Sequence, residues 1–187
     1  MGNQRNDVRD LQDNVAETKY ALLMETADQV DGETFIDIWE HLSGQSSGKA
    51  ELFDHDADLL IFSTVHDCEA AQLLIEAYFM RPLETLLLLL LPDKADLRKE
   101  FTDYGFISHS SHPYVYADSA FLFSIQGDDP GAQPYQAFEQ MDEHLLASFS
   151  KNKVSIFIAD RQSDELMKRI ARAYRCSITQ LYPSVDI

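Results

Sequence analysis

The chain is short of glycine, cysteine and positive charge, and each shortage excludes something. With only 7 glycines in 187 residues, it has no Gly-x-Gly-x-x-Gly and no Gly-x-x-x-x-Gly-Lys-Ser/Thr loop, so the usual phosphate cradles are missing and nucleotide chemistry is disfavoured. No Gly-x-Ser-x-Gly elbow presents a serine nucleophile. The 2 cysteines, Cys68 and Cys176, are too few and too far apart for a disulfide framework or a Cys-x-x-Cys metal knuckle. Reduced thiols in a cytoplasmic protein are therefore expected. No apolar stretch follows Met1-Gly2-Asn3-Gln4-Arg5, so no secretory signal is expected, and Asn6 stands where a myristoylation motif needs Ser or Thr. The longest leucine run, Leu86 to Leu91, lies between Glu84 and Asp93. It falls far short of the roughly 18 apolar residues of a membrane span.

What is abundant is acid. The formal net charge is -17, and residues 1–150 hold 28 of the 32 acids with 8 of the 15 bases. Residues 151–187 hold 4 acids and 7 bases. Such a field repels nucleic-acid phosphates and anionic lipid, favours solubility and attracts a basic partner. No run of basic residues is interleaved with aromatics, which also disfavours nucleic acid.

At 45% hydrophobic, the chain can bury a proper core as one domain with a small appendage. Apolar residues Val8, Leu11, Val15, Leu22, Leu23 and Ala27 recur at helical spacing over 7–30, and Phe35, Ile38, Trp39 and Leu42 repeat the pattern. The Ser/Gly-rich stretch from Ser43 to Gly48 then reads as a seam. It divides a helical N-terminal appendage, 1–48, from an α/β domain, 49–187. In the second part a strand over 59–62 precedes a helix over 67–80. Leucines 86–91 form a short continuous apolar run, which suits a strand buried on both faces. A helix over 94–104, a strand over 114–125, a helix over 135–150, a strand over 154–159, a helix beginning at Ser163 and a strand over 177–182 follow. No internal repeat stands out. Strands alternating with helices predict a largely parallel sheet of about five strands with helices on both faces.

In such a sheet ligands bind beyond the carboxyl ends of the strands. That rule singles out His66, Asp67, Asp93, Asp128, Asp160 and Arg161 as a candidate catalytic rim. His55, Asp58, His66 and Asp67 form a candidate metal set by ligand type. His66-Asp67 resembles the pair of the HD phosphohydrolases, but that family is all-helical and needs further ligands, and here a strand precedes the pair. His109 and His112, three apart, have no third ligand at a recognisable spacing. Asp and Ser in these loops are also what helix capping requires.

These residues support a non-enzymatic regulatory or protein-interaction protein, of inhibitor, immunity or chaperone-like type, whose acidic surface binds a basic partner. No cofactor is expected. The alternatives are a small metal-dependent hydrolase holding Mg²⁺ or another divalent ion at the rim, and a ligand-sensing domain of the same fold.

Overall fold

The computed structural model describes residues 15–24, 34–45 and 50–183. The first half of these residues forms β1 (Glu17–Leu23), α1 (Phe35–Gln45), β2 (Leu52–Asp56), β3 (Leu59–Phe62), α2 (Val65–Phe79) and β4 (Glu84–Leu90). A connecting segment contributes β5 (Asp96–Leu97), β6 (Gly105–Ile107) and β7 (Pro113–Tyr116). The second half forms β8 (Ala120–Gly127), α3 (Pro134–Met141), β9 (Leu145–Lys151), β10 (Val154–Asp160), α4 (Asp164–Ala173) and β11 (Cys176–Tyr182).

The strands make two sheets, ordered β2-β3-β1-β4-β7-β6 and β11-β8-β10-β9-β5. Every pairing between neighbours is antiparallel. This overturns the expected parallel sheet with helices on both faces. The physical reason lies in two hairpins. Where one strand per helix was expected, each half has two: β2 turns directly into β3, and β9 into β10.

With those hairpins in place, both halves read strand–helix–strand–strand–helix–strand. Numbered within each half, both sheets run 4-1-3-2, the connectivity known as split βαβ or ferredoxin-like. The protein thus builds one topology twice, which we call unit 1 (residues 17–90) and unit 2 (residues 120–182). Met80, directly after α2, and Arg175, two residues past the end of α4, both have φ of 56°. The strand β1 falls inside the segment expected to be a helical appendage, yet it pairs with β3 on one side and β4 on the other. Residues 1–14, 25–33 and 46–48 of that segment lie outside the described residues, while Ser43, Gly44 and Gln45, expected in the seam, continue α1.

Leucines 86–91 do form a strand with its exit, and Leu88, Leu89 and Leu91 are buried, although Leu87 is 36% exposed. The expected strand over 114–125 is broken at Ala117–Ser119, a 3-10 turn where the chain leaves one sheet for the other. The expected helix over 94–104 is instead β5 and a 3-10 turn. The helix expected over 135–150 stops at Met141, and its second half is β9.

Each sheet packs one face under its own helices. In unit 1, Leu22, Leu60 and Phe62 meet Phe35, Trp39 and Ile75. In unit 2, Phe121, Phe123 and Phe157 meet Ala137, Met141 and Met167. The helix-free face of unit 2, with Leu122, Ile156 and Ile158, packs on Leu89 and Val115 and joins the halves.

The helix-free face of unit 1 is different. Ala21, Leu59, Ile61, Leu88 and Tyr114 are buried there, and no helix among the described residues packs over them. In a flat sheet β2 and β7 would stand four strand spacings apart, about 19 Å. The Asp54 carboxylate on β2 nevertheless accepts a 2.9 Å hydrogen bond from the Tyr114 hydroxyl on β7. The sheet therefore curls around this face until its edges meet.

Candidate functional site

The meeting point of those edges is a buried polar cluster. Asp54 has a side chain with 0% exposure. Its Oδ2 accepts from Ser108 Oγ at 2.6 Å and from Tyr114 OH at 2.9 Å, and lies 2.9 Å from His112 Nδ1. Its Oδ1 accepts the backbone N–H of His55 at 2.8 Å. Burial by itself raises a carboxyl pKa, but here donors from Ser108, His112, Ser110 and the His55 backbone outweigh it and hold Asp54 down at about 2. The same arrangement pushes the Tyr114 hydroxyl far above its usual range, through burial first and then the adjacent carboxylate.

A register shift between Leu52 and Asp54 marks a bulge in β2, and bulges re-aim side chains. Phe53 stacks on His112 with centroids 5.6 Å apart, next to the residue that binds the same histidine. Lys19, fully buried, places its Nζ 3.5 Å from the Phe53 ring centroid and donates to Glu17 Oε1 at 2.5 Å and to Ser63 Oγ at 2.9 Å. The His55 and His109 rings stack across the same seam at 6.1 Å. His112 also lines a cleft of about 690 Å³ with Glu17, Asp93 and Lys151.

Asp, His and Ser occur together here without forming a nucleophilic triad. The Ser108 hydroxyl donates its hydrogen bond to Asp54, and its Oγ accepts the His112 backbone N–H at 3.3 Å. In a triad the histidine Nε2 would take the serine proton. What the geometry does produce is an oriented imidazole. With Nδ1 held by Asp54, Nε2 is the ring nitrogen left for a ligand.

The expected rim does not converge. In unit 2, Asp160 pairs with Ala120 at the start of β8, whereas Asp128 follows Gly127 at its end. The antiparallel order therefore sets those acids about 24 Å apart along an eight-residue strand. Asp160 is occupied, accepting from Gln162 N–H at 3.0 Å and Tyr104 OH at 3.2 Å. Asp128 and Arg161 are exposed. In unit 1, Asp67 serves its helix: Thr64 is the N-cap and accepts from Asp67 N–H, while the Thr64 hydroxyl donates to Asp67 Oδ2 at 2.5 Å. That hydroxyl, and then the Glu51 N–H, hold the Asp67 pKa below its ordinary value. His66 beside it is exposed. Of the rim candidates, only Asp93 reaches the cleft at His112.

The metal set also fails to assemble. Among the described residues no three His, Cys, Asp or Glu side chains are grouped to hold an ion, so His55, Asp58, His66 and Asp67 do not converge. His55 is engaged with His109 and the backbone of Asp58 with Met24. The residues that do converge, Lys19, Asp54, Ser108, His112 and Tyr114, were not singled out as a group. The sequence offered no clear signal for Asp54, which stands in an acidic run with Asp56 and Asp58 on a strand too polar to read as one.

Comparison with family models, curated proteins and solved structures finds no match. Among the described residues no helix is long and apolar enough to cross a membrane.

Proposed function

We propose that this is a non-enzymatic binding protein that engages a positively charged protein partner through unit 1. One observation carries the reading: the same topology occurs twice with different charge. Residues 17–90 hold 15 acids and 3 bases, whereas residues 120–182 hold 8 acids and 7 bases. Of the bases in unit 1, Lys19 is buried against Glu17 and Ser63. Arg81 is then the only base at the surface of this unit among its described residues. Glu17, Asp37, Glu40, Glu51, Glu69 and Glu84 are all exposed. Complementary charge of this kind speeds association and selects partners more than it adds affinity. The proposal includes a cytoplasmic setting, supported by Cys68 and Cys176 both being free and buried. Burial, and then Glu69, push the Cys68 thiol up to about 11, which makes it a packing residue.

The test is a titration of the full chain with a lysine-rich peptide at low and high salt. Binding that weakens as salt rises supports the proposal. No binding at low salt, or binding equal to that of a glutamate-rich peptide, overturns it.

A second reading rests on His112. An imidazole oriented by a buried carboxylate and lining a cleft with Lys151 and Asp93 suits a small acidic or polar ligand. A thermal-shift screen of small carboxylates and phosphates checks this, since a ligand raises the melting temperature by mass action. His112→Gln should abolish any shift, and a shift that survives it removes the reading.

A further inference from the structure

The helix α2 carries apolar side chains on its outer side as well as its inner one, beside His66 and Glu69. Its inner face buries Cys68, Ala71 and Ile75. On its outer face Leu73 is 72% exposed and Val65 48%, and Met80, which closes the helix, is 86% exposed. Val65, Glu69, Leu73 and Ala77 recur every four residues, with Met80 three further on, so they lie along one face. That stripe is about 22 Å long at 1.5 Å per residue. Exposed apolar area of this kind marks an interaction site, and Glu69 within the stripe adds charge to it.

Unit 2 provides an internal control. The helix in the equivalent position, α4, turns Glu165, Arg169 and Arg172 to the outside. No large apolar side chain of α4 is exposed among those described. The topology alone therefore does not demand an apolar outer face.

We infer that the outer face of α2, with the groove between it and β4, is the docking site for an amphipathic, positively charged segment of a partner protein. This rests on the reading of unit 1 as the acidic binding unit and locates the contact within it. The groove, about 300 Å³, is lined by Val65, Glu69, Gln72, Leu87 and Asp118 among others. Apolar anchors of the partner would meet Val65, Leu73, Met80 and Leu87. Its lysines or arginines would meet Glu69, Glu84 and Asp118, all exposed. Glu76 is already engaged, accepting from Gln72 Nε2 at 2.8 Å and Leu83 N–H at 2.9 Å. The charge argues against the other occupants. A second copy presenting this same face would set acid against acid, and the basic face of α4 carries no apolar anchors. This is the helix-in-groove mode, read through side chains at three- and four-residue spacing.

The test uses two synthetic helical peptides of equal length and lysine content. One carries leucines at three- and four-residue intervals, and the other carries serine in their place. Each is titrated into the full chain and into the double variant Leu73→Ser, Met80→Ser, followed by fluorescence anisotropy. Both substituted positions are exposed, so unchanged affinity for the lysine/serine peptide shows that the variant is folded. The wild type should bind the lysine/leucine peptide at least about tenfold more tightly than the lysine/serine peptide, the scale of burying one or two apolar side chains. The double variant should lose that preference. A preference that survives in the double variant overturns the docking site while leaving the acidic-unit reading intact. If neither peptide binds at low salt, the acidic-unit reading fails with it. A concentration-dependent dimer that the double variant abolishes would assign the face to a second copy and overturn the partner proposed.

Discussion

Unit 1 and unit 2 lay their second helices over the same strand order, yet α2 turns Leu73 outward where α4 turns Arg169 and Arg172. Their sheets differ as sharply. The helix-free face of unit 2 is flattened against β4 and β7 by Leu122, Ile156 and Ile158. Among the described residues the corresponding face of unit 1 has no such partner and is closed by its own curl, with Asp54 as the latch between edges. The connectivity decides which residues become neighbours. The side chains on the outer surfaces decide whether a unit packs on its sibling or remains open to something else.

Removing the latch has the largest expected effect. Asp54→Ala leaves Ser108, His112 and Tyr114 without their acceptor and should cost about 3–5 kcal/mol, as breaking a buried charged network does. Urea unfolding measures the loss, and hydrogen exchange should place it in β2, β6 and β7. Equal loss of protection in β9 and β10 would show that the units do not differ in the way described.

Next in size is the close approach that brings β6 onto β7. A Cβ at Gly105 would stand 2.1 Å from the Tyr114 carbonyl oxygen and 3.0 Å from the Val115 Cα. Gly105→Ala should therefore cost about 2–3 kcal/mol, read from the urea midpoint. A change below the error of that midpoint would mean that the hairpin contributes little to holding the curl.

The latch also predicts a pH dependence with a definite sign. The Asp54 pKa is depressed in the folded state, from 3.8 to about 2. Its contribution, about 2 kcal/mol at 1.36 kcal/mol per unit, is present above pH 4 and lost as pH falls from 4 through 2. Asp54→Asn should flatten the stability profile in that window. Tyr114 acts at the other end: its raised pKa means stability is lost as pH climbs past its ordinary value of 10. A wild-type profile that stays level between pH 4 and 2 would deny the latch its charged form.

The smallest expected effect is a gain in unit 2. Asn152 and Lys153 both have positive φ, 52° and 66°, in the β9–β10 hairpin. Lys153→Gly should stabilise by up to about 1 kcal/mol, because glycine takes this conformation without the Cβ penalty. No gain in the melting temperature would mean that the hairpin conformation is relaxed in solution.

These elements also explain what could be read in advance. The elements with a single strong pattern were legible: β3, α2, the leucine strand β4, β10, α4 and β11. The short β2, Leu-Phe-Asp-His-Asp, carries too much polarity to register as a strand. The β9 sequence Leu-Leu-Ala-Ser-Phe-Ser continues a helical spacing begun by Phe138 and Met141. Neither hairpin offers the glycine that usually announces a tight turn. Missing those two strands converts the split βαβ into a run of simple βα units, and an antiparallel sheet into a parallel one. The site followed the same path. A rim of acids exists only if strands point the same way, so the expected cluster is dispersed, and the polar cluster that does form lies across sheet edges distant in sequence. Asp54 and His112 are 58 residues apart, and only the curl brings them together. The acidity of residues 1–150, by contrast, was readable directly, and 15 of its 28 acids fall in unit 1 against 5 in unit 2.

The central claim is that unit 1 is the binding unit, and two matched sets of charge removal test it directly. Glu51, Glu69 and Glu84 in unit 1, and Glu139, Glu143 and Glu165 in unit 2, are exposed, and changing each set to Gln alters the net charge equally. Titration with a lysine-rich peptide at low salt should show the unit 1 set weakening binding about tenfold and lowering its salt dependence. The unit 2 set should stay within about twofold of wild type. Equal weakening by both sets would contradict the account, because binding would then follow the net charge of the whole chain and not a surface on unit 1.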